Sequence, residues 1–208
     1  MTAAGEPKEI PNEVWIEILS SGELSYYDLK RVRGVSKTFK AIYELVIFDE
    51  TLFRGKPESK LAQGTRIKLH PTLWDDNSGF IGEDLHQFWA GSWEDEAKQW
   101  EIAKLACASE FATYPPVHTI YLKLGGDETV KNANGVTVKD VIEGIAAAWG
   151  KKAYFDVQDP VDSDGESVEL MSFAEELSMH DHQFWEGWED PKLSKKGGVI
   201  LKPHWYGS

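Results

Sequence analysis

The chain has 208 residues with a formal net charge of −13, 41% hydrophobic residues, nine tryptophans and one cysteine, Cys107. The negative charge argues against nucleic acid and anionic membranes as partners, since both are polyanions, and it favours either a basic partner or simple solubility. One cysteine excludes an internal disulfide, and the lack of a signal sequence or of an apolar run of about 20 residues predicts a protein of the cytoplasm or the nucleus.

The first stretch with helical periodicity follows residues 1–9, which are small and polar and are expected to be disordered. Pro11 suits the first turn of a helix because its missing N–H has no partner there, and Asn12 is expected to be the N-cap. Apolar residues then recur at helical spacing, at Val14, Trp15, Ile18 and Leu19.

Two more short helices are predicted soon afterwards. Ser25 followed by Asp28 resembles a capping box, and Gly34 is of the residue type that commonly follows a helix end. A third helix is predicted from Val35, with one apolar side formed by Val35, Phe39, Ile42, Tyr43 and Val46. Helices with such short connections are expected to form a small bundle, which is too small to close a sizeable core alone. The bundle therefore needs a partner.

The order and spacing of these residues resemble the F-box, the motif by which substrate receptors of Skp1–cullin–F-box ubiquitin ligases attach to Skp1. The matched positions are Ile10-Pro11, Glu13, Ile18-Leu19, Asp28-Leu29, Val35-Ser36-Lys37 and Phe39. The chain departs from the family pattern in having Ile10 where leucine is usual and Arg33-Gly34 where the family usually has an apolar or small pair.

The resemblance implies a non-catalytic adaptor that binds Skp1, and through it a cullin, and that recruits a protein substrate for ubiquitination. It assigns contact with Skp1 to Ile10, Pro11, Val14, Trp15, Ile18, Leu19, Leu29, Val35, Ser36 and Phe39. Spacing alone does not tell which of these side chains face Skp1 and which face inward. The alternative is a ligand- or peptide-binding module whose first helices are only a structural cap.

The predicted F-box covers residues 10–54, because Phe48, Leu52 and Phe53 are expected to lie back against the helices. Glycine, proline and charged residues then predict a connector over 55–64. A larger, acidic, Trp-rich domain follows over 65–208, and it holds most of the negative charge, since residues 61–208 carry −12 of the net −13.

The second domain is predicted to be α+β, so the whole chain is an α+β protein with a small helical bundle in front. Alternating or short apolar patterns predict three strands, over 65–71, 117–124 and 197–203. Helical spacing predicts helices at about 94–108 and at 138–149, the second with Thr137 as its N-cap or as a strand end. A loop is predicted over 156–169.

Part of this domain resembles a small α+β domain of unknown function that is common in fungal proteins, some of which begin with an F-box. The matched residues are Ala112-Thr113-Tyr114-Pro115-Pro116 and Asn134-Gly135-Val136-Thr137-Val138-Lys139-Asp140-Val141. This resemblance brings no catalytic residues to transfer.

A short aromatic sequence occurs twice in the second domain, at 86–95 and again, one residue shorter, at 182–190. One interpretation is a pair of aromatic walls that bind the target, possible contacts being Phe88, Trp89, Trp93, Phe184, Trp185 and Trp188. The other interpretation is structural, with two loops whose rings plug equivalent ends of a sheet. The flanking sequences do not repeat, so the chain is not a solenoid.

No residue pattern predicts a metal site, a cofactor or catalysis. His180 and His182 are two residues apart without accompanying cysteines, and the acidic stretch 162–166 lacks the first and last ligands of a calcium loop. No phosphate-binding glycine loop or nucleophile elbow is present, and no order of Ser, His and Asp suggests a triad. We therefore expect that the protein is not an enzyme. Its net negative charge favours a basic protein substrate, whose identity is unknown.

Overall fold

The computed structural model describes residues 10–74, 80–81, 88–91, 99–101, 104–124, 127–149 and 183–207. The chain divides into two compact units, Met1–Arg54 and Gly55–Ser208. Both α-helices and β-sheets are present, which confirms the predicted α+β class. Among the described residues, no helix is long and apolar enough to cross a membrane.

The first unit contains helices α1 (Asn12–Ser20), α2 (Tyr26–Val32) and α3 (Lys37–Tyr43), followed by a 3₁₀ helix at Val46–Phe48. Helix α3 contacts both α1 and α2. Pro11 is the N-cap of α1, without a side-chain hydrogen bond, so the prediction that Asn12 caps this helix was wrong. The third helix begins two residues later than Val35, because Ser36 caps it by accepting a hydrogen bond from the Phe39 N–H at 3.1 Å.

A complete capping box begins α2. The hydroxyl oxygen of Ser25 accepts a hydrogen bond from the Asp28 N–H at 3.2 Å, and the Asp28 carboxylate accepts one from the Ser25 N–H at 3.1 Å. Two N–H groups without helical partners are therefore satisfied reciprocally.

The interior of the first unit is formed by apolar side chains from every helix and from the segment that follows them. Phe48, Leu52 and Phe53 are buried, as predicted, and the Phe53 ring meets the Tyr26 ring edge-on at a centroid distance of 6.3 Å. The other buried apolar residues among those described in this unit are Leu19, Tyr26, Leu29, Ile42 and Tyr43. This small interior leaves many apolar side chains of the unit outside it.

Where the structure describes it, the second unit contains short strands and two α-helices, α4 (Pro71–Trp74) and α5 (Val138–Trp149). The strands are β1 (Lys68–Leu69), β2 (Phe80–Ile81), β3 (Phe88–Gly91), β4 (Gln99–Glu101), β5 (Thr113–Tyr114), β6 (Thr119–Lys123), β7 (Asp127–Lys131), β8 (Gln183–Trp188), β9 (Lys192–Leu193), β10 (Val199–Leu201) and β11 (Pro203–Gly207). They pair in the orders β1-β5, β2-β3-β4, β7-β6-β10-β9 and β11-β8 within the described residues.

The four-stranded sheet and α5 form the core of this unit. Strand β6 pairs antiparallel with β7 and parallel with β10, with Ile120 opposite both Val130 and Val199. Alternate residues of β6 are buried, as expected for a strand covered on one face, and α5 contacts both β6 and β7. The core face of the sheet and α5 contribute Ile120, Leu122, Val130, Val199, Leu201, Val138, Val141, Ile142 and Ile145.

A close approach of two chain segments fixes the turn before β10. Gly198 has a φ of +80°, and a Cβ there would collide with the carbonyl oxygen of Thr119. Only glycine fits this position without displacing the start of β6.

The structure confirms the strand predicted over 117–124, the helix predicted over 138–149 and the final strand at 197–203, although each strand is shorter than predicted. Thr137 is the N-cap of α5, since its hydroxyl oxygen accepts a hydrogen bond from the Asp140 N–H at 3.2 Å. The loop predicted at 156–169 lies outside the described residues.

The helix predicted at about 94–108 was wrong, and the segment predicted as a connector contacts the second unit. The helix expected at about 94–108 is replaced, where the structure describes it, by strand β4 and a 3₁₀ helix at Ala106–Ser109. Residues 55–64, predicted as a connector, are an integral part of this unit, because Glu58 bridges to Val117 and Leu61 is buried in the core. Glycine and proline had indicated irregular structure there, which need not be free of the core.

Candidate protein-docking face

Apolar residues four positions apart form an exposed stripe on the first unit, Ile10, Val14 and Ile18, here named the α1 stripe. Their exposed fractions are 49%, 41% and 49%. Val14 and Ile18 are four residues apart on α1 and so lie on one side of the helix, and Ile10 is exposed just before the helix begins. Such a surface on a small helical unit is typical of a site that a protein partner covers.

A second exposed apolar group follows α3, formed by Leu45, Val46 and Ile47 and here named the 45–47 patch. Val46 is 80% exposed and Ile47 is 58% exposed. Val35, before α3, is also exposed. Val35 and Val46 were predicted to lie on the apolar side of a longer helix. The observed α3 includes neither residue, so both side chains lie outside its buried face.

Arg54 holds the segment that carries the 45–47 patch. Its guanidinium group lies 2.9 Å from the Asp49 carboxylate and 3.3 Å from the Glu44 carboxylate, and it donates a hydrogen bond to the Leu45 carbonyl oxygen at 3.0 Å. The same group lies 5.3 Å from the centroid of the Tyr43 ring. These contacts fix the backbone that follows α3. Val46, at the start of the 3₁₀ helix, is therefore held in one position with its side chain exposed.

A groove of about 440 Å³ runs between α1 and α3. Its polar lining consists of Asn12, Lys37 and Thr38, and its apolar lining consists of Ile16, Ala41, Ile42 and Leu45. The Trp15 and Phe39 rings meet edge to face beside it, with centroids 5.0 Å apart and planes at 67°, and this contact ties the two helices together. The groove therefore has an apolar lining between two helices that are fixed to each other.

The ten residues assigned to Skp1 by resemblance fall into three groups in the structure. Six are exposed: Ile10, Pro11, Val14, Ile18, Val35 and Ser36. Trp15 and Phe39 are partly buried against each other. Leu19 and Leu29 are buried inside the unit, so their role is to support the fold and position the exposed residues.

The five aromatic residues of the repeated sequence that the structure describes lie in strands and not in the loops that were expected. Phe88 and Trp89 are in β3, whereas Phe184 and Trp185 are in β8, and these two strands belong to different sheets. Trp188 is buried in the core of the second unit, so it stabilises the unit and does not offer a ring to a target. Trp93 lies outside the described residues.

His70 is fully buried, which no pattern in the sequence predicted. Its Nδ1 accepts a hydrogen bond from the Thr72 N–H at 3.2 Å, which leaves Nε2 to carry a proton toward Glu110, 3.3 Å away. The Thr72 hydroxyl lies 3.5 Å from the sulfur of Cys107. We interpret this cluster as structural, and no group of three or more metal-ligating side chains occurs in the part of the chain that the structure describes.

Two hydrogen bonds from Ser25 lower the pKa of Asp28 below its usual 3.8. The larger effect comes from the Ser25 hydroxyl, which donates to the Asp28 carboxylate at 2.6 Å, and the smaller from the Ser25 N–H. A carboxylate with a lowered pKa in the folded state stabilises the protein above its usual pKa, and this stabilisation is lost as the pH falls through the lowered value. Ionised Asp28 therefore strengthens the start of α2 at neutral pH.

We expect Asp28→Asn to lower the melting temperature at pH 7 and to have a progressively smaller effect as the pH falls below about 4. Thermal melts followed by circular dichroism over this pH range measure the difference between the two proteins. In a Ser25→Ala background, where Asp28 loses the hydroxyl donor but keeps the N–H of residue 25, the pH dependence of the difference should shrink. A difference that stays constant with pH would contradict this assignment.

No protein-family model, no curated protein and no solved structure matches the chain.

Proposed function

We propose that the chain is an F-box adaptor of a Skp1–cullin–F-box ubiquitin ligase, with the first unit binding Skp1 and the second recruiting the substrate. The observation that carries the proposal is the exposure of the α1 stripe, whose members include residues of the F-box pattern. The first unit's own side chains do not cover this stripe, and an adaptor needs such a surface free until the partner binds.

The energetics of the first unit agree with this role. Burying an apolar side chain completely is worth about 1.5–3 kcal/mol, and the α1 stripe, Val35 and the 45–47 patch are all substantially exposed. A partner that covers them gains this free energy without having to break interactions inside the unit. The edge-to-face contact of Trp15 and Phe39 holds α1 against α3 beforehand, which reduces the entropy cost of binding.

Substrate recruitment is assigned to the second unit. Residues 61–208 carry a net charge of −12, so the proposed substrate is a protein with a basic segment. The cluster of His70 and Glu110 has no part in this proposal, because His70 is fully buried.

The direct test is a calorimetric titration of the purified full chain with Skp1. We expect a dissociation constant on the order of nanomolar. When the complex is then mixed with the cullin, we expect the cullin to co-purify with it. A folded chain that binds no Skp1 would overturn the proposal. That result would favour the alternative of a ligand- or peptide-binding module.

A further inference from the structure

Ser36 lies in the turn between α2 and α3, after a cluster of basic residues. Its side chain is exposed, and its hydroxyl makes a hydrogen bond only at the start of α3, as the acceptor from the Phe39 N–H. Arg33 stands three residues before it and Arg31 five residues before it, with Lys37 directly after. An exposed hydroxyl that follows two arginines at these spacings is a pattern that basophilic protein kinases recognise, through carboxylates in their substrate groove.

Both arginines are accessible. The Arg31 side chain is 81% exposed and lies 3.4 Å from the Asp28 carboxylate, and the Arg33 side chain is 50% exposed with its Nε 4.0 Å from the Glu44 carboxylate. Arg33 also lies over the Tyr43 ring at 5.3 Å. These are surface contacts of the kind that contribute little, so a kinase groove can replace them. Arg31 lies in the last turn of α2, and the backbone from Arg33 to Val35 is a turn; a helix end followed by a turn opens at lower cost than a helix interior.

A second serine in the chain has similar spacing but a different environment. Ser59 is also exposed and follows Lys56 by three residues and Arg54 by five. The Arg54 side chain is only 26% exposed and is held by Asp49, Glu44 and the Leu45 carbonyl group. A kinase that needs a free arginine at that position therefore distinguishes Ser36 from Ser59.

We infer that Ser36 is a phosphorylation site for an arginine-directed protein kinase, and that its phosphorylation prevents Skp1 from docking. In the reaction the Ser36 oxygen forms a bond to the γ-phosphorus of ATP, and the bond from that phosphorus to the bridging oxygen breaks. ADP leaves, and the hydroxyl proton passes to the catalytic aspartate of the kinase. The regulatory half of this inference rests on the proposed function.

The phosphate would stand on the proposed docking face. Val35 precedes it on that face, and Lys37 and Thr38 line the groove between α1 and α3. A group with nearly two negative charges resists the desolvation that docking of an apolar surface requires. Its oxygens can still accept the hydrogen bond from the Phe39 N–H, and Arg33 and Lys37 are close in sequence, so the unit remains folded.

The first experiment maps phosphate on the intact folded chain after treatment with the catalytic domain of an arginine-directed kinase and ATP. We expect modification of Ser36 at least about tenfold faster than of Ser59, and loss of it in an Arg31→Gln, Arg33→Gln double variant. Equal labelling of the two serines, labelling of Ser59 alone, or undiminished labelling of the double variant would overturn the inference. This measurement does not depend on Skp1.

The second experiment compares the affinity of Skp1 for the phosphorylated and the untreated chain. We expect phosphorylation to weaken binding at least about tenfold, and kinase treatment to leave the affinity of a Ser36→Ala chain as it was before treatment. Equal affinities of the phosphorylated and untreated chain would overturn the regulatory role. If the untreated chain fails to bind Skp1, both the proposed function and the regulation of Skp1 binding by Ser36 are wrong. The phosphate map still decides whether Ser36 accepts phosphate from the kinase.

Discussion

A chain that carries Val14→Glu together with Ile18→Lys is expected to lose Skp1 affinity by at least about 100-fold while remaining as stable as the unmodified protein. The two positions are four residues apart on α1, so the new side chains can form a favourable Glu–Lys pair on the helix surface. The fold and the net charge are therefore preserved. The apolar surface of the α1 stripe is lost, and docking would have to desolvate two charges.

Calorimetry with Skp1 measures this loss, and thermal unfolding of the free chain checks the fold. The matched control reverses the exposed pair of Lys139 and Glu143 on α5, 3.4 Å apart, which also changes two helix-surface positions without a change of net charge. This control should bind Skp1 with unaltered affinity. Tight binding by the α1 variant would remove the α1 stripe from the interface.

A Leu19→Ala chain is expected to lose about 2–5 kcal/mol from the free energy of unfolding of the first unit, the range typical of buried leucines. Leu19 is buried, whereas its neighbour Ile18 points outward and is half exposed. A helical unit of this size has little stability to spare, so α1, α2 and α3 should lose much of their protection from hydrogen exchange. The Ile18→Ala chain is the matched control and should change stability by well under 1 kcal/mol.

Hydrogen exchange resolved by residue measures both variants. Similar protection of the helices in the two chains would mean that Leu19 does not support the interior of the unit. Because Leu19 is buried inside the unit, a loss of Skp1 binding in Leu19→Ala would report unfolding of the unit and not a lost contact with Skp1. Substitutions at exposed positions are the informative ones for the interface.

Sequence was most predictive where local chemistry decides the structure. The capping residues Ser25 and Asp28 gave the start of α2, and the periodic apolar residues of 138–149 gave α5. Both signals act within a few residues, so they do not depend on what the rest of the chain supplies. The strand β6 was also predicted, because alternation matches its one buried face.

Predictions failed where distant residues decide the structure. Approximate helical spacing links Trp93, Ala97, Trp100, Ile102 and Leu105. Trp100 nevertheless lies in β4, which pairs with β3. Periodicity found the apolar residues of α1 without showing that Leu19 turns inward and Ile18 outward, since the choice depends on how α1 meets α3. No local signal marks His70 as buried, because its partner Glu110 is 40 residues away.

The parallel pairing of β6 with β10 also sets the order in which the two units can form during synthesis. Val199 pairs with Ile120, so the four-stranded sheet is incomplete until the ribosome has added nearly 80 further residues. At about 5–20 residues per second this interval lasts several seconds or more. The first unit, by contrast, ends at Arg54 and needs only contacts between residues close in sequence. A nascent chain therefore presents the α1 stripe well before its second unit can fold.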